Sequence, residues 1–274
     1  MAQRLSDGRL HLQQGPIDLV ILGSEDEYAR AALRFRTVLE ELVAELPLLR
    51  SPLGSAYPLV RGRVARRMVE AAWPHHAVFI TPMAAVAGAV ADEILDAMQP
   101  SGKAYVNNGG DIAVHLPGGE SFDAGIVNNP VRPMVDATIR LAGSCGVATS
   151  GWRGRSQSLG IADAVTVIAR NAAEADAAAT LVANAVNAEH PAIRRLAARA
   201  VKEDSDLGDL PVTVAVGQLP ENTVRAALEA GAVVARSLLR HKLILAAYLA
   251  LQNQVVAVRP EVHFPSFNAV NSQA

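Results

Sequence analysis

The chain has 274 residues, half of them apolar, 19% charged and 4% aromatic, which excludes a disordered polypeptide too polar to offset its ordering entropy. Twenty-five basic residues against 27 acidic leave a net charge of −2, which excludes a globally basic nucleic-acid binder. The lone Cys145 excludes an internal disulfide and a zinc–thiolate cluster, and the length fits one large domain or two small ones woven together.

The N-terminus reads as a hairpin, with Arg9–Gln13 and Ile17–Leu22 on either side of the turn dipeptide Gly15-Pro16. Ser24 followed by Glu25, Asp26 and Glu27 predicts a helix N-terminus, with acid where the helix dipole favours it. The helix should run to Leu46, with Leu33, Val38, Leu39, Leu42, Val43 and Leu46 on its apolar positions. Pro47–Pro58 reads as a linker. Arg61–Trp73 reads as a helix with a basic face, suited to solvation or to an anion. Ala77–Ile80 reads as a short strand. Thr81-Pro82 then opens a helix of small residues that ends near Met98, one built to be buried or packed on a ligand.

Strands are predicted over Lys103–Asn107, Asp111–Leu116, Phe122–Val127, Met134–Ala142, Cys145–Thr149 and Ala164–Ala169. Ala172–Asn187 reads as an alanine-rich helix and Pro191–Ala200 as helical. Pro211–Val216 reads as a strand and Asn222–Leu239 as a helix. Leu243–Gln252 and Gln254–Val258 read as a closing hairpin, the first half ambiguous with helix, and residues 261–274 as a loose tail or an oligomer arm. Tight turns between neighbouring strands imply antiparallel pairing, hence an α+β fold of antiparallel sheets with packed helices. The first 23 residues carry Arg4, Asp7, Arg9 and His11 and no continuous apolar core. The uncharged run Ala77–Ala91 is shorter than the ~20 residues a bilayer requires. A soluble cytoplasmic protein with no membrane partner is expected.

Several residues carry possible chemistry. The Gly109-Gly110 turn with Asp111 offers bare amides and a carboxylate, which suits a phosphate or ribose, and it suits an ordinary hairpin equally. Thr149, Ser150 and Gly151 put two hydroxyls at the end of a strand, and Ser156 continues that loop. Ser150 lacks the G-x-S-x-G elbow of a serine hydrolase. Asp176 and Thr180 lie one turn apart on one helix face, with Asn184 a turn further. A carboxylate, a hydroxyl and a nearby carbonyl make a hard-oxygen set suited to Mg²⁺; the alternative is that Asp176 only complements a helix N-terminus. His75-His76 reads as an exposed turn, His115 and Cys145 as structural residues, and Trp152 as a ring stack or a core lid.

Taken in order, Ala84–Asp92, Asn108–Asp111, Ala148–Gly151 and Ala175–Thr180 resemble the ApbE superfamily, flavin transferases that move FMN from FAD onto a protein threonine. The spacing agrees over Val78–Asn187. A soluble branch is matched more closely, through the full Thr81–Asp92 helix and Ser156–Val165. The resemblance implies a single ApbE-like, T-fold-like domain over residues 1–274, with its motif-bearing core at 78–187 and a C-terminal part at 211–260. It implies that Asp176 and Thr180 ligate Mg²⁺ with the backbone carbonyl of Ala87. It implies that Gly109, Gly110, Asp111, Thr149, Ser150, Gly151 and Ser156 contact FAD. The family's lysine before the helix glycine is replaced by Ala87, and its His-x-x-Asp-Pro stretch by Arg153–Gly160. Arg155 or Arg153 would then replace the missing positive charge, with Asp176 and Arg155 the candidate catalytic pair. The expected function is a Mg²⁺-dependent transferase or hydrolase of FAD. The alternatives are a flavin- or nucleotide-binding accessory protein, or an enzyme of small-anion or sulfur metabolism. A homodimer is expected from the small-residue helices and the C-terminal hairpin.

Overall fold

The computed structural model describes residues 1–129, 131, 133–260 and 267–269. The first elements are β1 (Ala2–Arg4), β2 (Leu10–Gln14), β3 (Ile17–Leu22), α1 (Glu25–Ala44), α2 (Leu46–Leu49), α3 (Arg63–Ala72) and α4 (Val86–Met98). They are followed by β4 (Ala104–Asn108), β5 (Asp111–His115), β6 (Phe122–Ile126), β7 (Ala137–Leu141), β8 (Cys145–Ser150), β9 (Ala164–Ala169) and α5 (Ala172–Ala185). The chain ends with β10 (Ile193–Ala197), α6 (Ala198–Val201), β11 (Pro211–Val216), α7 (Glu221–Arg240), β12 (Ala246–Leu251), β13 (Gln254–Val258) and β14 (Phe267–Ala269).

The described residues form two compact units. The first comprises Met1–Ser121, Ala142–Ala148 and Ile168–Ala177; the second comprises Phe122–Leu141, Thr149–Val167 and Ala178–Ala274. In the first unit the strands run β1-β2-β3-β4-β5-β8, each pair antiparallel. The β2–β3 turn is the Gly15-Pro16 pair, and Gly15 takes φ +57°, which glycine adopts without a Cβ penalty. Leu19 and Ile21 of β3 are fully buried, as period-two alternation demands. Helix α4 packs on β4 and β5, and α1 and α3 pack on α4. Ser24 and Glu27 close a capping box at the start of α1. The buried stripe of α1 is Tyr28, Ala31, Phe35, Val38 and Leu42. Leu33 and Val43, expected on that stripe, are exposed.

On the basic face of α3, Arg66 is exposed as a solvated face requires, whereas Arg63 and Arg67 reach a buried carboxylate. The carboxylate of Glu93, on α4 and 1% exposed, takes Arg34 at 2.8 Å and both Arg63 and Arg67 at 3.2 Å. A buried carboxylate requires such compensation, and α3 supplies it. Ala77–Ile80 is not a strand: the Val78 amide donates to the His75 carbonyl at 3.0 Å in a turn, and the Ile80 carbonyl accepts the Leu53 amide at 2.9 Å. His75 is buried rather than exposed, inside a short 3₁₀ turn over Trp73–His75.

In the second unit β12 and β13 pair antiparallel beside β9, and α7 packs on both. The ambiguous stretch before Gln252 is therefore strand β12, buried along its whole length. The β6–β7 hairpin pairs with β14, and Ile126 and Ala137 form one apolar cluster with Tyr248 and Ala250. Apart from β14, the expected tail lies outside the described residues. Pro191–Ala200 is not helical. Residues 193–197 pair with β11 across a bulge at Arg194/Arg195, and only Ala198–Val201 is helix. Alternating exposure along β10 identifies a strand that local helix propensity concealed. No described helix is long and apolar enough to cross a membrane.

Burial pushes the His75 imidazole down to about 4. The unfolded chain takes up that proton near pH 6.5, so stability present above that pH is lost as pH falls towards 4, by on the order of 3 kcal/mol. His75→Gln is expected to flatten the fall in urea-unfolding stability between about pH 7 and about pH 4.5. A parent and variant that fall in parallel would exclude this origin.

Candidate functional site

Helix α4 opens on Val86-Ala87-Gly88 after a 3₁₀ turn over Pro82–Ala85. Gly88 meets the start of α5 so closely that a Cβ there would overlap the Ala172 carbonyl oxygen. Gly146 of β8 is pressed against the preceding Asn171 in the same way. Only glycine permits these approaches. They bring the N-termini of α4 and α5 together within the first unit.

Two aspartates are exchanged at this crossing. Asp92 of α4 accepts the Ala172 and Ala173 amides of α5 at 2.9 and 2.8 Å. Asp176 of α5 accepts the Gly88 amide of α4 at 3.1 Å, and the Ala87 amide also acts on it. Each helix thus places a carboxylate on the unpaired amides of the other, where the helix dipole also favours negative charge. Asp176 does complement a helix N-terminus, but that of α4 and not its own.

Asn108 ends β4 beside this pair. Its side-chain amide donates to the Ala87 carbonyl at 3.1 Å, in the first turn of α4. Gly109 and Gly110 form the two-residue β4–β5 turn, with φ +66° and +116°. The Gly110 amide donates to Asn107 Oδ1 at 2.8 Å, and Asp111 opens β5.

The charges do not balance. Burial pushes the Asp176 carboxyl well above the usual carboxylate range; the nearby Asp111 adds to the rise, and so does Asp92. Donation by the Gly88 and Ala87 amides acts the other way and does not overcome it. Burial also lifts Asp92 to about 6, against its two amide bonds and the more distant Arg67. A cation beside Asp176 would remove the repulsion from Asp111 and Asp92 that burial has amplified. Among the described residues no cluster of three or more His, Cys, Asp or Glu side chains is arranged to hold a metal. A cation here would therefore draw on carbonyl and hydroxyl oxygens as well, a mixture that Mg²⁺ accepts. Thr180 lies one turn beyond Asp176 on α5.

The remaining candidates lie in the second unit. Thr149 Oγ1 is 2.8 Å from Thr166 Oγ1. Gly151 is closed over by the Asp163 and Ala162 carbonyls, where a Cβ has no room. Asp163 organises the bend: it accepts Trp152 Nε1 at 3.1 Å, Arg153 Nε at 2.7 Å and the Gln252 amide at 2.7 Å. Arg153 also stacks on Trp152. These contacts commit Arg153 and Trp152 to the scaffold. Ser150 is half-buried, and Arg155 and Ser156 are exposed. Asn184, a turn beyond Thr180, is scaffold too, accepting the Leu159 amide at 3.0 Å and the Ser158 hydroxyl at 3.3 Å. Sequence reasoning passed over Asp92 and Asn108 as site-forming residues. Their signal was a buried-type polar residue at the end of an otherwise apolar segment.

The family model described as "AbpE bacteria" matches residues 2–257. The chain belongs to that family. A relative named "UPF0280 protein" from Methanothrix thermoacetophila is 39% identical over 173 residues, 58% of this chain and 69% of its own. Another of that name, from Archaeoglobus fulgidus, is 32% identical over 187 residues, 65% of this chain and 75% of its own. Among solved structures, "Flavin Transferase ApbE from Vibrio cholerae" matches with TM-score 0.53 at 13% identity, covering 94% of this chain and 97% of that one. At that identity the likeness is one of fold. In this ApbE-like chain the crossed carboxylates hold together the small-residue helix α4 and the start of α5.

Asp92→Ala leaves two buried amides of α5 without an acceptor and is expected to cost about 2–4 kcal/mol in urea unfolding. Asp92→Asn keeps one acceptor and is expected to cost less. Equal losses from the two variants would contradict the capping role.

Proposed function

We propose that this ApbE-like protein binds a flavin or nucleotide diphosphate together with Mg²⁺, and that FAD is the ligand. The observation that carries this reading is Asp176: desolvated, raised further by Asp111, and held at the Ala87-Gly88 amides of α4. Asp176, Thr180 and the Ala87 carbonyl are the groups that would hold the ion. Bound there, Mg²⁺ would neutralise charge on a pyrophosphate and on its cleavage products.

The chain's own residues would do the rest. Asn108 orients the Ala87 carbonyl by donating to it. The Gly109-Gly110 turn leaves its backbone open to close approach, and Asp111 stands beside it as a hydrogen-bond acceptor. In the second unit, Thr149, Ser150, Gly151 and Ser156 are proposed as ligand contacts. Arg155, rather than Arg153, is proposed to answer anionic charge, because Arg153 is committed to Asp163.

Two outcomes of binding are open to such a site. In a catalytic protein the phosphoanhydride breaks, and FMN passes to an acceptor or to water with AMP leaving. In an accessory protein FAD is held intact. The alanine at position 87, where flavin transferases of this superfamily carry lysine, favours the accessory reading.

The test is titration with FAD, with and without Mg²⁺, followed by chromatography for FMN and AMP. Asp176→Asn keeps an oxygen for the Gly88 amide and removes the charge. It is expected to lower Mg²⁺-dependent FAD affinity by about tenfold or more with little loss of melting temperature. FAD binding indifferent to both Mg²⁺ and Asp176→Asn would overturn the reading. Release of FMN and AMP identifies an enzyme; retention of intact FAD identifies a binding protein.

A further inference from the structure

A second concave feature lies within the second unit, on elements the proposed function does not use. Arg236 and Arg240 stand one turn apart near the end of α7, and Arg259 follows directly on β13. With Leu239, Ala257 and Val258 they line an open cavity of about 290 Å³. Among the described residues no Asp or Glu lines it. Arg236 is paired with Glu229. Arg240 and Arg259, both exposed, make no hydrogen bond or ion pair among the described residues.

This arrangement differs from a solvated basic face. Solvated arginines on one helix need share no concavity, whereas these come from a helix and from the end of a strand and line one concavity with apolar neighbours. Three guanidiniums around one concavity repel one another, and an anion between them reverses that cost. Guanidinium forks match oxyanions with several equivalent oxygens, and two unpaired forks match a doubly charged one. The volume admits a small molecule but not a dinucleotide, and the floor offers burial to an apolar body.

We propose that this cavity binds a phosphate monoester carried on a small apolar group. Arg240 and Arg259 grip the phosphate, Arg236 stands at the rim on Glu229, and the apolar body rests on Leu239, Ala257 and Val258.

Calorimetric titration of the full chain with phenyl phosphate, and separately with inorganic phosphate, tests this. EDTA in the buffer keeps any Mg²⁺-dependent site out of the measurement, so failure here and failure of the FAD reading are distinguishable. Phenyl phosphate is expected to bind more tightly than inorganic phosphate. Arg240→Ala/Arg259→Ala is expected to weaken phenyl phosphate by about tenfold or more at unchanged melting temperature. Arg240→Lys/Arg259→Lys keeps the charge without the fork and is expected to restore only part of the loss. Absence of saturable binding would overturn the proposal. So would binding that survives the double alanine change, equal affinity for the two probes, or full recovery with lysine.

Discussion

The first unit depends on an exchange of carboxylates between two helices that start at the same place. Asp92 of α4 accepts the first amides of α5, and Asp176 of α5 accepts an early amide of α4. Each helix N-terminus would otherwise bury amides that nothing within its own helix can satisfy. Exchange satisfies both ends at once, but only if the helices come close enough. Gly88 and Gly146 supply that closeness by having no side chain where backbone must pass. The small-residue composition of α4 is thus tied to a hydrogen-bonding requirement as well as to packing.

The same exchange creates the electrostatic problem that makes the site interesting. Asp92 and Asp176 are both held away from water, and Asp111 adds a third negative charge near the second. Capping amides offset only part of that cost. A fold that needed caps alone could have used serine or asparagine, which cap without charge. Contrast the Glu93 carboxylate, equally buried, which is surrounded by Arg34, Arg63 and Arg67. One buried carboxylate is neutralised by protein; the other pair is not.

The bend over residues 149–163 shows the opposite economy. Asp163 gathers an indole, a guanidinium and a backbone amide, so Arg153 and Trp152 are fixed in place. Two side chains with the chemistry to meet a ligand are spent on holding a loop. Arg155, two residues further on, stays exposed. Of the two arginines in this bend, Arg153 is the one that reaches Asp163.

Much was legible from local pattern alone. Alternating or continuous apolar residues located β2 and β3, and the Val-Thr-Val-Ile run located the fully buried β9; Ser24 with the acids after it located the start of α1; Gly109-Gly110 located the β4–β5 turn. The ordered motifs pointed to the ApbE-like fold and drew attention to Asp176. These signals are short-range: alternation, caps and turns are properties of a few neighbouring residues. What pattern could not supply was partnership across the chain. Residues 193–197 read as helix because their strand partner lies at 211–216, and the α3 arginines read as a solvated face because Glu93 lies on another helix. That Asp176 caps α4 rather than α5, and that Asp92 answers it, depends on contacts between residues 80 and 88 positions apart. Sequence sets which groups are available; close backbone approach at Gly88 decides which of them meet, because hydrogen bonds and ion pairs exist only at distances that packing alone determines.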